Sequence, residues 1–331
     1  MPNAAIIGTG HYVPERVVTN DDLTRLMDTS DAWIRERTGI AERRWVEPGT
    51  SGATLALAAS RMALADAGVD AAELDLLIYA TVNPDYAFPG NGPLLQQALG
   101  VDTIGAMDIR NQCTGFVYGI AAAHGFIASG AARTVLVVGA EIHSTGLDLS
   151  TRGRDLAVLF GDGAGAVVVR ATDEADRGVL ASVMHSQGEF ARELWCELAT
   201  ALVPGRWSDA MAAEGRQYPH MNGRTVFQHA IRRFGEAIDE VLARGGVTKD
   251  DVALFVPHQA NQRITEMVIR RLEVAPERVC SNIERYGNTT AASIPIALSE
   301  AVRAGRVRRG DLVVLVGFGS GFTWGANLIR W

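Results

Sequence analysis

The chain has 331 residues, of which 47% are hydrophobic and 21% charged, and its formal net charge is −7. This composition is typical of a globular protein with a large core, and the negative charge argues against nucleic-acid binding, which needs a basic surface. The three cysteines are too few for a disulfide framework, and no metal-ligand spacing joins them to the seven histidines. Without a leader-like segment or a bilayer-length apolar run, we expect a cytoplasmic protein that does not enter a membrane.

The chain alternates apolar strands with helices in both of its halves. In the first half the pattern predicts, in order, strand Ala4–Gly10, helix Ala56–Ala67, strand Leu76–Val82, helix Gly92–Leu99 and strand Arg133–Val138. In the second half it predicts strand Val179–Met184, helix Phe234–Ala243, strand Val252–Pro257, helix Arg263–Leu272 and strand Asp311–Val316. Strands that are apolar throughout are typical of sheets buried on both faces, and their alternation with helices indicates an α/β protein.

Equivalent features of the two halves recur after about 175 residues, which indicates a structural duplication. We predict an N-terminal half, residues 1–172, and a C-terminal half, residues 173–331. The halves should pack about a pseudo-twofold axis into five layers of helices and mixed, mostly parallel sheets. In that arrangement Cys113 and Asn288 occupy equivalent positions and face each other near the axis.

Cys113 is the first candidate for chemistry. It lies in Asp108–Phe116, at a predicted turn from a strand into a buried helix that ends near Ser129. Because a helix N-terminus favours negative charge, we expect a lowered thiol pKa and a reactive thiolate. A cysteine also serves as a small buried hydrophobe, so the reactive interpretation depends on its neighbours.

Two polar residues of the second half point to the same place. His258 follows the buried strand Val252–Pro257, at the end where α/β proteins place ligands and catalysts. Asn288 lies in a polar turn before the predicted helix Ala291–Arg303. A lone histidine is often structural and a turn asparagine is often a cap. Together with Cys113, however, they suit thiol chemistry, in which a thiolate attacks a carbonyl and two donors stabilise the resulting anion.

At these residues the sequence resembles the thiolase-fold condensing enzymes, and most closely the β-ketoacyl-acyl-carrier-protein synthase III family. The resemblance covers nearly the whole chain and is carried by six motifs in one order: Asp31–Ile40, Asp108–Phe116, Phe160–Gly165, His258–Asn261, Tyr286–Ser293 and Gly321–Gly325. It implies the thiolase-like αβαβα fold, a homodimer, and catalysis without a cofactor.

The resemblance also implies a reaction. Cys113 would take an acyl group from acyl-coenzyme A, and malonyl-acyl-carrier protein would then lose carbon dioxide and attack the acyl-enzyme. His258 and Asn288 would stabilise the malonyl enolate. The backbone N–H groups of Cys113 and Ser320 would form a second oxyanion hole. Relatives usually have glycine at the position of Ser320.

Further residues match family positions that contact substrates and partners. Those implied for coenzyme A and its pantetheine arm are Trp33, Arg37, Arg154, Gly223 and Asn261. Those implied for the acyl pocket are Phe88, which would come from the partner subunit, Met221 and Phe318. Those implied for carrier-protein binding are Arg263, Arg270 and Arg271, on one face of a helix. A solvated helix face would show the same arginine spacing.

Several alternatives stay open. The stretch Gln187–Met221 is longer than its family counterpart, and Asn111 and Gln112 stand where small residues are frequent, so the primer could be acetyl or a longer straight chain. The same fold also supports condensations and acyl transfers of secondary metabolism. A papain-like hydrolase fits the flanks of Cys113 poorly, and a non-catalytic scaffold subunit is a further alternative. Gly8-Thr-Gly10 lacks the third glycine and the acidic partner of a dinucleotide site, and Gly161–Gly165 is better interpreted as a tight turn that packs against the catalytic loops. We therefore expect no nucleotide cofactor.

Overall fold

The structure is a computed structural model and describes residues 2–197 and 200–331. Its strands are β1 Asn3–Tyr12, β2 Val17–Thr19, β3 Glu42–Arg44, β4 Leu76–Ala80, β5 Gly105–Ile109, β6 Thr134–Glu141, β7 Gly163–Thr172, β8 Gly178–Ser186, β9 Leu194–Trp195, β10 His220–Met221, β11 Val252–Pro257, β12 Leu312–Gly319 and β13 Thr323–Arg330. Its α-helices are α1 Asn20–Thr24, α2 Asp31–Thr38, α3 Gly52–Ala67, α4 Asn91–Leu99, α5 Gly115–Ala128, α6 Arg154–Ala157, α7 Asp209–Ala213, α8 Gly223–Gly245, α9 Gln262–Leu272, α10 Ile283–Tyr286 and α11 Ser293–Arg303.

Two large sheets repeat one topology. The first has the order β1-β7-β6-β4-β5 and the second the order β11-β12-β13-β8. In each sheet one strand, β7 or β13, runs against all the others. The prediction of mixed, mostly parallel sheets is therefore confirmed. In the first sheet β5 pairs with β4 at the edge. At the corresponding edge of the second sheet, β11 has only a single parallel bridge, between Phe255 and Val279.

Helices form three layers around the two sheets. Helices α5 and α11 lie between the sheets, in an apolar core that takes residues from β1, β4, β6 and β7 on one side and from β8, β11, β12 and β13 on the other. Helices α3 and α4 cover the outer face of the first sheet, and α8 and α9 cover the outer face of the second. The five-layered α/β fold expected from the sequence is thus present.

The first sheet contains only strands from residues 3–172, and the second contains only strands from residues 178–330. Both sheets bury their inner faces in one continuous core, however. The division at residue 172 accordingly stays a prediction about two halves, and it does not describe two separate cores. No helix within the described ranges combines the length and apolar character needed to cross a membrane.

The predicted elements differ from the observed ones mainly at their ends. Helix α8 begins at Gly223, well before the predicted Phe234, because the side chain of Asn222 caps it by accepting from the Thr225 N–H. Helix α11 begins at Ser293, since the preceding residues 290–292 form a 3₁₀ turn. An additional turn that the sequence pattern did not indicate therefore lies between Asn288 and helix α11.

Gly10 explains part of the Gly8-Thr-Gly10 motif. It lies on β1 directly under α3, where an added Cβ would sit 2.2 Å from the carbonyl oxygen of Ala59. Glycine here lets the helix approach the sheet, so the motif serves packing between strand and helix.

We expect Gly10→Ala to destabilise the protein by about 1–3 kcal/mol, because the methyl group must push α3 away from the sheet. Gly125→Ala is the control, since an added Cβ at Gly125 on α5 meets nothing within 4 Å. That change should be neutral or stabilising, because alanine favours helix. Chemical denaturation measures both effects. Equal midpoints for Gly10→Ala and the unchanged protein would contradict this packing account.

Candidate active site

Cys113 lies between a strand and a helix, as the sequence predicts. Strand β5 ends at Ile109, a 3₁₀ turn covers residues 112–114, and α5 starts at Gly115. The thiol is 7% exposed. Gly319, at the end of β12, packs directly on it, because a Cβ there would lie 2.8 Å from the Cys113 sulfur. The two halves of the molecule therefore meet at this sulfur.

The predicted lowering of the Cys113 pKa is wrong for the substrate-free site. Burial, and secondarily the nearby carboxyl of Glu141, raise the pKa of the thiol to about 12. The backbone N–H groups of Cys113 and Ser320 and the side chain of Thr290 act in the opposite direction through hydrogen bonds to the sulfur. These two N–H groups are the pair that the family resemblance assigns to an oxyanion hole. Both N–H groups lie close to the Cys113 sulfur.

His258 follows β11, and its N–H donates to the carbonyl of Val316 at 2.8 Å. Its ring is 1% exposed, and burial lowers its pKa to about 3, so the imidazole is neutral at physiological pH. Nδ1 lies 2.6 Å from the Ser293 hydroxyl. Nε2 has no hydrogen-bond partner among the described residues. A buried polar atom without a partner indicates a group that awaits a ligand.

Asn288 is fixed by its own backbone and by one neighbour. Its N–H donates to the Leu159 carbonyl at 2.8 Å, and its carbonyl accepts from the Gly161 N–H at 3.1 Å. The segment Phe160–Gly165 thus packs against a catalytic loop, as expected. The side-chain Oδ1 accepts from the Thr290 N–H at 2.8 Å, which leaves the amide N–H groups of Asn288 to act as donors.

Three buried residues beside the site were not predicted from the sequence: Glu141, His143 and Thr290. Glu141 ends β6, and its carboxyl accepts from the Thr81 hydroxyl and the Val82 N–H; burial raises its pKa to about 8. His143 is 8% exposed, and burial lowers its pKa to about 3. Glu141 and His143 lie at or just after the end of a buried strand, the signal that identified His258, so the sequence could have indicated both.

Known proteins were compared with the chain as a whole. Residues 107–188 match the family described as 3-Oxoacyl-[acyl-carrier-protein (ACP)] synthase III, and residues 242–331 match the C-terminal part of that family. The β-ketoacyl-[acyl-carrier-protein] synthase III of Roseiflexus castenholzii is 47% identical over 99% of this chain and 98% of its own. The chain belongs to the β-ketoacyl-acyl-carrier-protein synthase III family. It is an acyltransferase of the condensing-enzyme type.

Two further relatives agree in sequence and in structure. The β-ketoacyl-[acyl-carrier-protein] synthase III 1 of Bacillus anthracis is 45% identical over 99% of both chains. The crystal structure of the Aquifex aeolicus 3-oxoacyl-[acyl-carrier-protein] synthase III superposes with a TM-score of 0.91 at 42% identity, covering 99% of this chain and 100% of that one. The family's fold thus extends over the whole length of the chain.

Four of the five residues that the family resemblance assigns to coenzyme A lie together: Trp33, Arg37, Arg154 and Asn261. The guanidinium carbons of Arg37 and Arg154 each lie 4.6 Å from the centre of the Trp33 ring. The Asn261 amide donates to the Arg37 carbonyl at 3.0 Å, which ties the start of α9 to α2. Gly223 is exposed at the first residue of α8. An aromatic face with two cations beside it suits a nucleotide with phosphate groups.

The three residues predicted for the acyl pocket are not brought together within one chain. Phe88 is 79% exposed on the loop after β4, and Phe318 is 3% exposed in the core of the second half. Met221 packs in the apolar cluster that includes Trp33 and lines a cavity of about 210 Å³ with Leu147 and Arg152. Met221 is therefore a neighbour of the coenzyme residues.

The three arginines predicted for carrier-protein binding differ in their partners. All of them are exposed on α9. Arg271 forms an ion pair with Asp239 of α8 at 2.6 Å, and Arg263 lies over the Phe227 ring at 5.4 Å. Because a carboxylate already neutralises Arg271, Arg263 and Arg270 carry most of the positive charge that this face offers.

The segment Gln187–Met221, here called the flap, contacts the loop that carries Ser320 and Phe322. Strands β9 and β10 pair as a short hairpin, and the Ser320 hydroxyl donates to the Leu194 carbonyl of β9. Residues 198 and 199 of the flap lie outside the described ranges. The side chain of Ser320 thus joins the flap to the loop whose Ser320 N–H the family resemblance assigns to an oxyanion hole, a contact that glycine could not make.

The high pKa of Cys113 gives a direct prediction. Without substrates, the alkylation rate of Cys113 by iodoacetamide should rise with pH from 7 to 10 without reaching a plateau, because only the thiolate reacts and burial keeps its fraction small. Mass spectrometry of the Cys113 peptide gives the rate, and Cys113→Ala identifies the signal. A plateau near pH 8 would mean that helix α5 overcomes the burial effect.

Proposed function

We propose that this protein condenses an acyl group carried on Cys113 with malonyl-acyl-carrier protein and so initiates fatty-acid biosynthesis. The observation that carries the proposal is the convergence on one buried sulfur of two backbone N–H donors, while His258 presents an unpartnered nitrogen and Asn288 presents an amide. Membership of the synthase III family supplies the reaction type.

In the first step the Cys113 thiolate attacks the carbonyl carbon of acyl-coenzyme A. The carbonyl oxygen becomes an anion and takes hydrogen bonds from the N–H groups of Cys113 and Ser320. The coenzyme A thiolate then leaves, and the acyl group remains on the enzyme as a thioester. The thiol proton of Cys113 is released in the exchange, so that free coenzyme A can leave as a thiol.

In the second step the malonyl thioester loses carbon dioxide, and the electron pair of the broken C–C bond forms an enolate. His258 Nε2 and the Asn288 amide donate to its oxygen. The carbanion attacks the acyl thioester, which returns Cys113 as a thiolate and yields the β-ketoacyl product. The Ser293 hydroxyl donates to the Thr290 carbonyl at 2.9 Å, so it must rotate and donate to Nδ1 for His258 to donate from Nε2, since a neutral imidazole carries one ring proton.

Substrate and partner contacts follow the residues already located. We assign the coenzyme A nucleotide to Trp33, Arg37 and Arg154, and the acidic carrier protein to the exposed Arg263 and Arg270. Strand β5 is paired on one edge with β4, and Tyr86 and Phe88 are exposed on the nearby loop. These features support a homodimer, in which Phe88 of one subunit approaches the acyl pocket of the other.

We further propose that catalysis needs no metal or organic cofactor, since the two oxyanion sites stabilise each developing charge. Within the described ranges no group of three His, Cys, Asp or Glu side chains is placed to hold a metal ion. We also propose a cytoplasmic location, with which the low content of three cysteines agrees. The preferred primer is a matter for experiment.

Incubation with acyl-coenzyme A should add one acyl group to Cys113, because the nucleophile and its oxyanion donors are in place. Intact-mass spectrometry with acetyl-, hexanoyl-, octanoyl- and decanoyl-coenzyme A measures loading and ranks the primers. Cys113→Ala should show no adduct, whereas Cys280→Ala, which alters another buried cysteine, should load normally. Absence of an adduct with every primer would reject the mechanism and favour a scaffold role.

His258→Ala and Asn288→Ala should separate the two steps. Both variants should still accept an acyl group, because the N–H donors at Cys113 are backbone groups. Decarboxylation of the malonyl thioester should fall by about 10²–10³-fold, the usual effect of removing one oxyanion donor. Release of labelled carbon dioxide measures it. His124→Ala, on α5, is the control. Unchanged decarboxylation in both variants would contradict the enolate role.

A further inference from the structure

Thr290 is connected to each residue of the proposed catalytic set, and its connection to His258 runs through Ser293. Its N–H donates to Asn288 Oδ1 at 2.8 Å, and its carbonyl accepts from the Ser293 hydroxyl at 2.9 Å. The Ser293 hydroxyl also lies 2.6 Å from His258 Nδ1. The Thr290 side chain is also one of the hydrogen-bonding groups that act to lower the pKa of the Cys113 thiol. Two of these contacts use backbone atoms, and only the last requires the hydroxyl.

The backbone of Thr290 is held in an unfavourable conformation. Its φ is +47°, a left-handed value that β-branched residues rarely adopt. The side chain is buried at 3% exposure, in the turn that packs against residues 112–114. Asparagine or glycine would fit this backbone with less strain. The presence of threonine therefore indicates that its hydroxyl has a role at this position.

A second buried residue fixes the direction of that hydroxyl. Thr290 Oγ1 lies 2.8 Å from His143 Nε2, and His143 Nδ1 lies 3.0 Å from the Asn83 amide nitrogen. Because an amide nitrogen can only donate, Nδ1 accepts and the neutral ring carries its proton on Nε2. His143 then donates to Thr290, which leaves the threonine hydrogen to point at the sulfur of Cys113. The hydrogen bonds from Asn83 to His143 and from His143 to Thr290 therefore both run toward Cys113.

We propose that Thr290 is a positioning residue whose hydroxyl, held by His143, stabilises the Cys113 thiolate. Hydrogen bonds in series polarise one another, which strengthens the last donor of the series. A hydrogen bond to a charged sulfur is also stronger than one to a neutral group. This series of hydrogen bonds favours the thiolate of Cys113, whereas burial and the Glu141 carboxyl disfavour it. The inference rests on the proposed role of Cys113 as the nucleophile.

The titratable groups around the sulfur are Glu141 at the end of β6, His143 just beyond it and His258 after β11. The two histidines have their pKa lowered to about 3 and stay neutral in the assay range. The pKa of Glu141 is raised to about 8, so Glu141 ionises within that range and acts on every variant alike. Rates are therefore compared between variants at the same pH.

The decisive measurement is the pH dependence of Cys113 alkylation by iodoacetamide in the full-length protein. Thr290→Val keeps the β-branched shape, the backbone strain and both backbone contacts, and removes only the hydroxyl. We expect its rate to fall about tenfold at each pH, the effect of one lost hydrogen bond to a charged group. Thr290→Ser should restore most of the rate. Thr9→Val, which removes another buried threonine hydroxyl on β1, is the matched control.

His143→Leu supplies a second, independent variant. It should lower the rate in the presence of Thr290 and have no further effect in Thr290→Val, because His143 acts through that hydroxyl. Additive effects, or a normal rate in Thr290→Val, would overturn the inference. So would a serine variant as slow as valine. Thermal unfolding identifies misfolded variants, and if Thr290→Val fails to fold, a normal rate in His143→Leu rejects the proposal.

This assay uses no acyl substrate. A shifted alkylation profile together with absent acyl loading would therefore refute the proposed reaction while leaving the thiolate contact intact. Normal acyl loading with an unshifted profile would refute only the role of Thr290.

Discussion

Two backbone hydrogen bonds between Asn288 and the segment Leu159–Gly161 hold the site together across the two halves. The same segment continues into Asp162, whose carboxyl accepts from the His143 N–H at 2.7 Å. One stretch of chain therefore holds both Asn288 and His143 in place. No Cβ fits at Gly161, where it would lie 2.2 Å from the Tyr286 carbonyl oxygen. The Gly161 loop can approach the Tyr286 loop this closely because glycine has no side chain.

Burial gives the ionisable groups of this site one common property. The pKa of Cys113 and of Glu141 is raised, and that of His143 and of His258 is lowered. Each shift favours the uncharged form. The resting site is therefore close to neutral, and the hydrogen-bond donors around it are oriented before any charge develops. Electrostatic stabilisation is largest in such a site, because little reorganisation is needed when an anion forms.

The sequence predicted those features of the structure that depend on residue pattern. Apolar strands, glycine stops and the recurrence of features identified the duplicated fold, and strand β11 was predicted to the residue. Cys113, His258 and Asn288 could be predicted as site residues because strand ends and polar turns are visible in a sequence. The direction of the Cys113 pKa was missed, since it depends on burial and on Glu141, which comes from a different strand. Thr290 was missed because its importance lies in a backbone angle and in contacts from three elements.

The neutral histidines have a consequence for the lifetime of the acyl-enzyme. Hydrolysis of a thioester needs a base to activate water, and a histidine whose pKa is about 3 is a poor one. A primed enzyme should thus hold its acyl group through a long wait for the second substrate. The features that make Cys113 slow to ionise are the same ones that protect the thioester from water.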